Sequence, residues 1–260
     1  AKREKPEVLL AGFSAYPREL DYKKIADIAH EVGAIAVMDI AHIAGLIAGR
    51  AAKNPFDYGF DIMTSTTHKT LRGPRGGLIL LRDNAEPAKK IDKAVFPGLQ
   101  GGPHMNVIAA KAVAFGEALN PKFRAYAKQI LKNAKAMEKV FKSAGIRMIT
   151  GGTSNHLLLV DVFTPLGIGG LEAETLLDSV GITLNKNVIA DDTRKPMDPS
   201  GIRFGTPAIT TRGFKEKDCA RVAELMIDAL KNRTDKKRLA QIRTEIQKMC
   251  KKHPVPARLV

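Results

Sequence analysis

The chain has 260 residues, 44% of them hydrophobic and 27% charged, an ordinary globular balance that allows a sizeable core in one or two domains. No apolar run approaches the roughly 18 residues of a membrane helix, the longest being Ala41–Gly49 with His42 inside it, so a spanning helix is excluded. The charge is less ordinary: 42 Lys+Arg against 27 Asp+Glu gives +15, a surface that attracts nucleic acid, anionic lipid or small anions.

Two observations weigh against nucleic acid. Tryptophan is absent and aromatics make up 5%, so stacking platforms are scarce. Much of the excess charge also falls on helical spacings: residues 215–260 hold 13 Lys/Arg and 6 Asp/Glu, which reads chiefly as solvated helix faces. Cys219 and Cys250 stand 31 apart without CxxC spacing, so neither a disulfide framework nor a cysteine metal site is expected, and no metal is assigned. AKREKPEVLL lacks the apolar stretch of a signal peptide, and a reducing, cytoplasmic location is the expectation.

Three segments in the first third share one grammar. VLLAGFS (Val8–Ser14), IAVMDI (Ile35–Ile40) and DIMTSTTHK (Asp61–Lys69) are apolar runs that end in polar groups. Tyr22–Gly33 lies between the first two, with apolar residues at 25, 28, 29 and 32 on helical spacing and Gly33 as a C-cap. This alternation predicts a parallel sheet covered on both faces. GPRGG (Gly73–Gly77) then turns the chain into GLILL. GLQGGP (Gly98–Pro103) opens a small-residue helix over Met105–Leu119, and Asn120 caps a long helix over Pro121–Gly145. Strands near Arg147–Ile149 and Leu157–Val162 follow, then a helix over Leu171–Val180. Asp191–Ser200 reads as a polar loop, Gly201–Gly213 as a Gly/Thr-rich segment, and Lys215–Leu230 and Lys236–Lys251 as basic helices. The domain boundary is expected near residue 120.

Ligands of open parallel sheets gather outside the carboxyl ends of the strands. Those ends carry Ser14, then Asp39 with His42, then His68 and Lys69, with intervals of 25 and 30 residues that suit one strand–connection–strand unit each. A carboxylate at a buried strand end needs a cationic partner. A lysine in a Thr/Gly-rich loop becomes a nucleophile when its charge is suppressed. The two together suit pyridoxal phosphate, with the lysine bonded to the cofactor and the carboxylate facing the pyridine nitrogen. The rival reading, a phosphate loop, lacks its GxxxxGK[ST] pattern. Taken singly, Asp39, Lys69 and the two histidines also suit plain structural roles.

At this point the motifs become recognisable. STTHKTLRGPRGG (Ser65–Gly77) resembles the cofactor-lysine segment of serine hydroxymethyltransferases, and the resemblance extends to AGFSAYPRELDY (Ala11–Tyr22), MDIAHIAGLIA (Met38–Ala48), FPGLQGGPHMNVIAAKAVAFGEAL (Phe96–Leu119) and SGIRFGTPAITTRG (Ser200–Gly213). It implies an α/β pyridoxal-phosphate-dependent transferase of fold type I, aspartate-aminotransferase-like. Residues 1–120 would be the C-terminal part of the cofactor-binding large domain and 121–260 a small C-terminal α/β domain. It implies transfer of serine's hydroxymethyl carbon to tetrahydrofolate, leaving glycine, by a homodimer or higher oligomer with shared sites and no membrane or nucleic-acid partner. Lys69 would be the Schiff-base lysine, and Asp39 would face the pyridinium nitrogen. His42 would lie beside the ring hydroxyl, Ser14 would hydrogen-bond a ring substituent, and His68 would bear on phosphate contact and reaction specificity. Arg203 would grip the amino-acid carboxylate, a task suited to a planar two-pronged guanidinium. Gly102 would reach the cofactor phosphate of a neighbouring subunit, and Asn187 with Lys195, Pro196 and Met197 would border the folate, where Met197 departs from the family's aromatic.

Members of that family carry a long stretch before the segment matching Ala11, including the phosphate turn and the ring that stacks on the pyridine. The chain is therefore expected to be a C-terminal portion, weakly active or inactive by itself, with an exposed strand edge and apolar face. Two rivals stand beside this reading: a folate-independent pyridoxal-phosphate aldolase of β-hydroxy amino acids, and a non-catalytic basic fragment that binds RNA or a partner chain through its C-terminal helices.

Overall fold

The short connection between Lys69 and GLILL decides the first sheet. A parallel pair needs a crossover of a dozen or more residues, usually through a helix, whereas a tight return gives an antiparallel pair. In a computed structural model describing residues 1–82 and 85–256 (the backbone alone at 85 and 86), β1 (Val8–Ala11), β2 (Ile35–Asp39) and β3 (Ile62–Thr66) are parallel. β4 (Gly77–Leu81) returns antiparallel to β3, in the order β1-β2-β3-β4. The last four residues of the domain expected over 121–260 lie outside the described residues.

The chain divides into two compact units. The first comprises Ala1–Ser14 and Leu20–Ala127. Its α1 (Tyr22–Glu31) starts where the Asp21 carboxylate accepts the Lys24 amide and stops where Gly33, at φ 76°, adopts the left-handed conformation just past the helix. α1 buries Tyr22, Ala26 and Ala29 against one face of the sheet, where Ala11, Ala36, Met38 and Met63 complete the core. α2 (Ala44–Ala48), α3 (Ala85–Lys93) and α4 (Met105–Leu119) follow in this unit, and α5 (Pro121–Ser143) begins with the Asn120 side chain accepting the Lys122 amide.

The expectation of a sheet covered on both faces is corrected. Val8 pairs in register with Ile35, and Leu10 with Val37. Val8, Leu10 and Ile35 are 50%, 66% and 45% exposed on the face opposite α1. Among the described residues, no second layer packs there, and β1 is an edge strand.

The second unit comprises Ala15–Glu19 and Lys128–Val260. Its sheet runs β5 (Leu157–Asp161), β7 (Gly201–Gly205), β6 (Asn185–Asn187), all antiparallel. β5 is buried at every position. α6 (Phe163–Leu166), α7 (Gly170–Ser179), α8 (Pro207–Thr211), α9 (Glu216–Lys231) and α10 (Lys236–Lys252) complete it. The strand expected near Arg147–Ile149 reduces to one bridge from Met148 to Val160. Ile149–Gly151 turns instead, with Thr150 in the left-handed region at φ 61°. The Gly/Thr-rich segment after Ser200 contains the central strand β7.

Candidate active site

The carboxyl ends of β1, β2 and β3 bring the polar residues of the first unit to one rim. β1 ends against β2 so closely that a Cβ on Gly12, at φ 137°, would stand 2.5 Å from the Asp39 carbonyl oxygen. Only glycine allows that approach. Asp39 is the last residue of β2, and its Oδ1 accepts the Ala41 amide at 2.9 Å. The expected buried carboxylate is corrected: Asp39 is exposed, because it sits on the open face of the sheet. Ser14 is also exposed, past the end of β1.

The turn after β3 is built around two buried threonines. Thr67 accepts the Gly73 amide on its carbonyl at 2.6 Å, and its hydroxyl donates to the Pro74 carbonyl at 2.6 Å. Thr70 donates its hydroxyl to the His42 carbonyl at 3.0 Å, and the same oxygen accepts the Gly45 amide at 2.9 Å. A Cβ on Gly45 would collide with the Thr70 carbonyl group. Lys69 and His42 thus belong to two segments fastened to each other, and both side chains are part-buried. His68, beside Lys69, keeps a buried Nδ1 that lacks a hydrogen-bond partner. Arg72 sits at φ 61° with its guanidinium 4.1 Å from the Tyr126 ring centre and 5.3 Å from that of Phe123, which anchors the turn to the start of α5. Gly12, Gly45, Thr67, Thr70 and Arg72 escape sequence reasoning. The Thr-His-Lys-Thr run held the clue, since threonine hydroxyls readily bind nearby backbone.

Gly102, at φ 58° before α4, is exposed, and a Cβ there would meet nothing within 4 Å. It lines a cavity of about 960 Å³ together with Thr64, Arg75, Phe96, His104 and Lys111.

A sequence model of the serine hydroxymethyltransferase family matches residues 1–226. The chain belongs to the serine hydroxymethyltransferase family. It is 56% identical over 255 residues to a serine hydroxymethyltransferase of Francisella tularensis subsp. novicida (strain U112), which covers 98% of this chain and 61% of that relative. It is 55% identical to one of F. tularensis subsp. tularensis (strain WY96-3418) and 53% identical to one of F. philomiragia subsp. philomiragia, with the same coverage. The chain therefore spans 61% of the length of these serine hydroxymethyltransferases.

The remaining residues that the sequence marks in this family member lie in the second unit. Arg203 is central in β7, opposite Leu159 on β5 and Asn185 on β6, and burial pulls its guanidinium pKa down. Asn187 ends β6, with its amide nitrogen donating to the Val188 carbonyl. Lys195, Pro196 and Met197 are exposed at the tip of the loop between β6 and β7.

Proposed function

We propose that the parent protein of this chain is a pyridoxal-phosphate-dependent enzyme that transfers the hydroxymethyl carbon of serine to tetrahydrofolate. The observation that supports this reading is the placement of Asp39, His42 and Lys69 at or past the carboxyl ends of β2 and β3, with the His42 and Lys69 segments tied through Thr70, in a chain of this family. The donor set fits the cofactor: an amine, a carboxylate, a hydroxyl and two imidazoles, one with an unused buried nitrogen. When bound, pyridoxal phosphate supplies an electron sink for the pair left as serine's Cα–Cβ bond opens.

Each residue then has a task. Lys69 Nζ would hold the cofactor as the amine donor of the rim. Asp39 would keep a ring nitrogen of the cofactor protonated. His42 and Ser14 would orient the ring, and His68, whose Nδ1 is buried without a partner, would offer it a further hydrogen bond. Arg203 binds both oxygens of the amino-acid carboxylate, and the low dielectric that lowers its pKa strengthens that pair. Asn187 and Lys195–Met197 border the folate. In this reading Gly102 reaches the phosphate of a second subunit, residues 1–120 belong to the cofactor domain and 121–260 to the small domain, and the enzyme works in the cytoplasm as a dimer or larger assembly. The open face on β1 and β2 argues that the isolated 260-residue chain is weakly active or inactive.

The test is a visible absorption titration of the chain with pyridoxal phosphate, repeated on Lys69→Ala and followed by glycine. A band above 400 nm that needs Lys69 and shifts with glycine is the expected result. A band of equal strength in Lys69→Ala overturns the role of Lys69. Cleavage of threonine by the full-length parent with no folate dependence in serine turnover would move the assignment to an aldolase.

A further inference from the structure

The loop between β6 and β7 is longer than a hairpin needs, yet it is held almost throughout. Asp192 is its hub. One carboxylate oxygen, Oδ2, accepts the Ile189 amide at 3.3 Å and the Ser200 amide at 2.9 Å. The other, Oδ1, accepts the Arg194 amide at 3.0 Å and the Ser200 hydroxyl at 2.7 Å. The two ends of the loop are thereby tied to one side chain. Burial alone would raise the carboxyl pKa, but these donors outweigh it and hold it at about 2.

Further ties surround the hub. Asp198 pairs with Arg194 and accepts the Leu171 amide at the start of α7. The Arg194 guanidinium lies 4.2 Å from the Phe163 ring centre. The Gly170 amide donates to the Pro199 carbonyl at 2.6 Å, and the packing leaves no room for a Cβ at Gly169 or Gly170. Ser200, held by Asp192, also accepts the Val162 and Phe163 amides at 3.0 and 3.2 Å, and the next residue begins β7. Arg203 follows two positions later. Lys195, Pro196 and Met197 alone form a continuous exposed run within 194–200.

We propose that Asp192 is a positioning residue: it fixes the start of β7, and so the register of Arg203, while presenting Lys195–Met197 as a rigid shelf. This rests on the reading of Arg203 as the carboxylate-binding group. The carboxylate suits the role because a charged acceptor binds amides more strongly than a neutral one, and because its four donors span both ends of the loop.

The experiment compares the unsubstituted chain with Asp192→Asn, which keeps size and one acceptor, and with Ser200→Ala, which removes one donor without burying a lone charge. Amide exchange over 189–205 and the rate of Arg203 modification by phenylglyoxal are read together, with α9 amides as the control for folding. The expected result is exchange in 189–200 and in Gly201–Gly205 roughly 10-fold faster in Asp192→Asn. Arg203 modification should accelerate as well, Ser200→Ala should show a smaller change of the same kind, and α9 should be unaffected. Faster exchange confined to 189–200, with β7 and Arg203 unchanged, would overturn the positioning role and leave a local loop brace. Unchanged exchange throughout would overturn the hub itself. Glycine with pyridoxal phosphate should slow Arg203 modification in the unsubstituted chain. If it does not although the Lys69-dependent band forms and shifts with glycine, the carboxylate reading of Arg203 fails even though Asp192 still governs β7.

Discussion

The two units are built from sheet and helix in similar measure, but they enclose their sheets differently. In the first, half of the buried core is alanine: Ala11, Ala26, Ala29, Ala34, Ala36, Ala44 and Ala118. In the second, β5 is buried on both faces, and its Leu158 shares one core with Phe141, Ile168, Leu177, Ile202, Leu225 and Met226. Burial free energy follows apolar area, at about 25 cal/mol per Å², so alanines bring helix and sheet close but contribute little each. The lesson is a division of labour. The second unit has the stronger core, while the first keeps backbone segments in tight contact around its rim and leaves an apolar face open.

That contrast can be broken or sharpened by measurement. The largest effect should come from Leu158→Ala, which removes a fully buried side chain from the middle of β5. The expected loss is about 3–4 kcal/mol, read from denaturant-dependent amide exchange in the second unit. A loss below about 1 kcal/mol would mean that this core is loosely packed.

Acid should come next. Glu138 is buried, and burial alone would raise its pKa. Hydrogen bonds from Lys135, Lys142 and the Thr153 amide prevail and hold it at about 2, against an ordinary 4.5. The folded-state pKa is depressed, so its contribution is complete above about pH 4.5 and is lost as pH falls through about 2. It amounts to about 3 kcal/mol. Glu138→Gln should flatten that acid dependence in an equilibrium unfolding series.

The smallest effect should be Leu10→Thr on the open face of β1. Threonine suits an exposed strand, so stability should change by no more than about 0.5 kcal/mol. Self-association measured by sedimentation should fall, because an apolar edge has been blunted. A loss of several kcal/mol would show that Leu10 is buried in solution.

Much of this was legible in advance. The helix over Met105–Leu119 has the bounds its small-residue pattern suggested, and Asn120 caps α5. The rim order Ser14, Asp39, His42, Lys69 follows from apolar runs that end in polar groups. The open face was not legible from the strands, because buried-strand composition tells of apolarity and not of what covers it; only the family resemblance led to the expectation of an exposed edge and apolar face. β6 and β7 were also hidden, since NKN has no apolar residue and GIRFG offers only Ile202 and Phe204 between glycines, and β7 owes its place to pairing on both sides. The ties through Thr70 and Asp192 escaped for a different reason: they join residues 28 and 8 apart, and a local pattern carries no record of them.

Thr70 has one more consequence. Its single oxygen gives to one strand connection and takes from the next residue but two along it, so the Lys69 turn and the His42 segment share one hinge pin. Neither can drift while the other stays. Variation on this rim is therefore paired in advance: a change that shifts the lysine shifts the histidine with it, and their spacing is inherited as a unit.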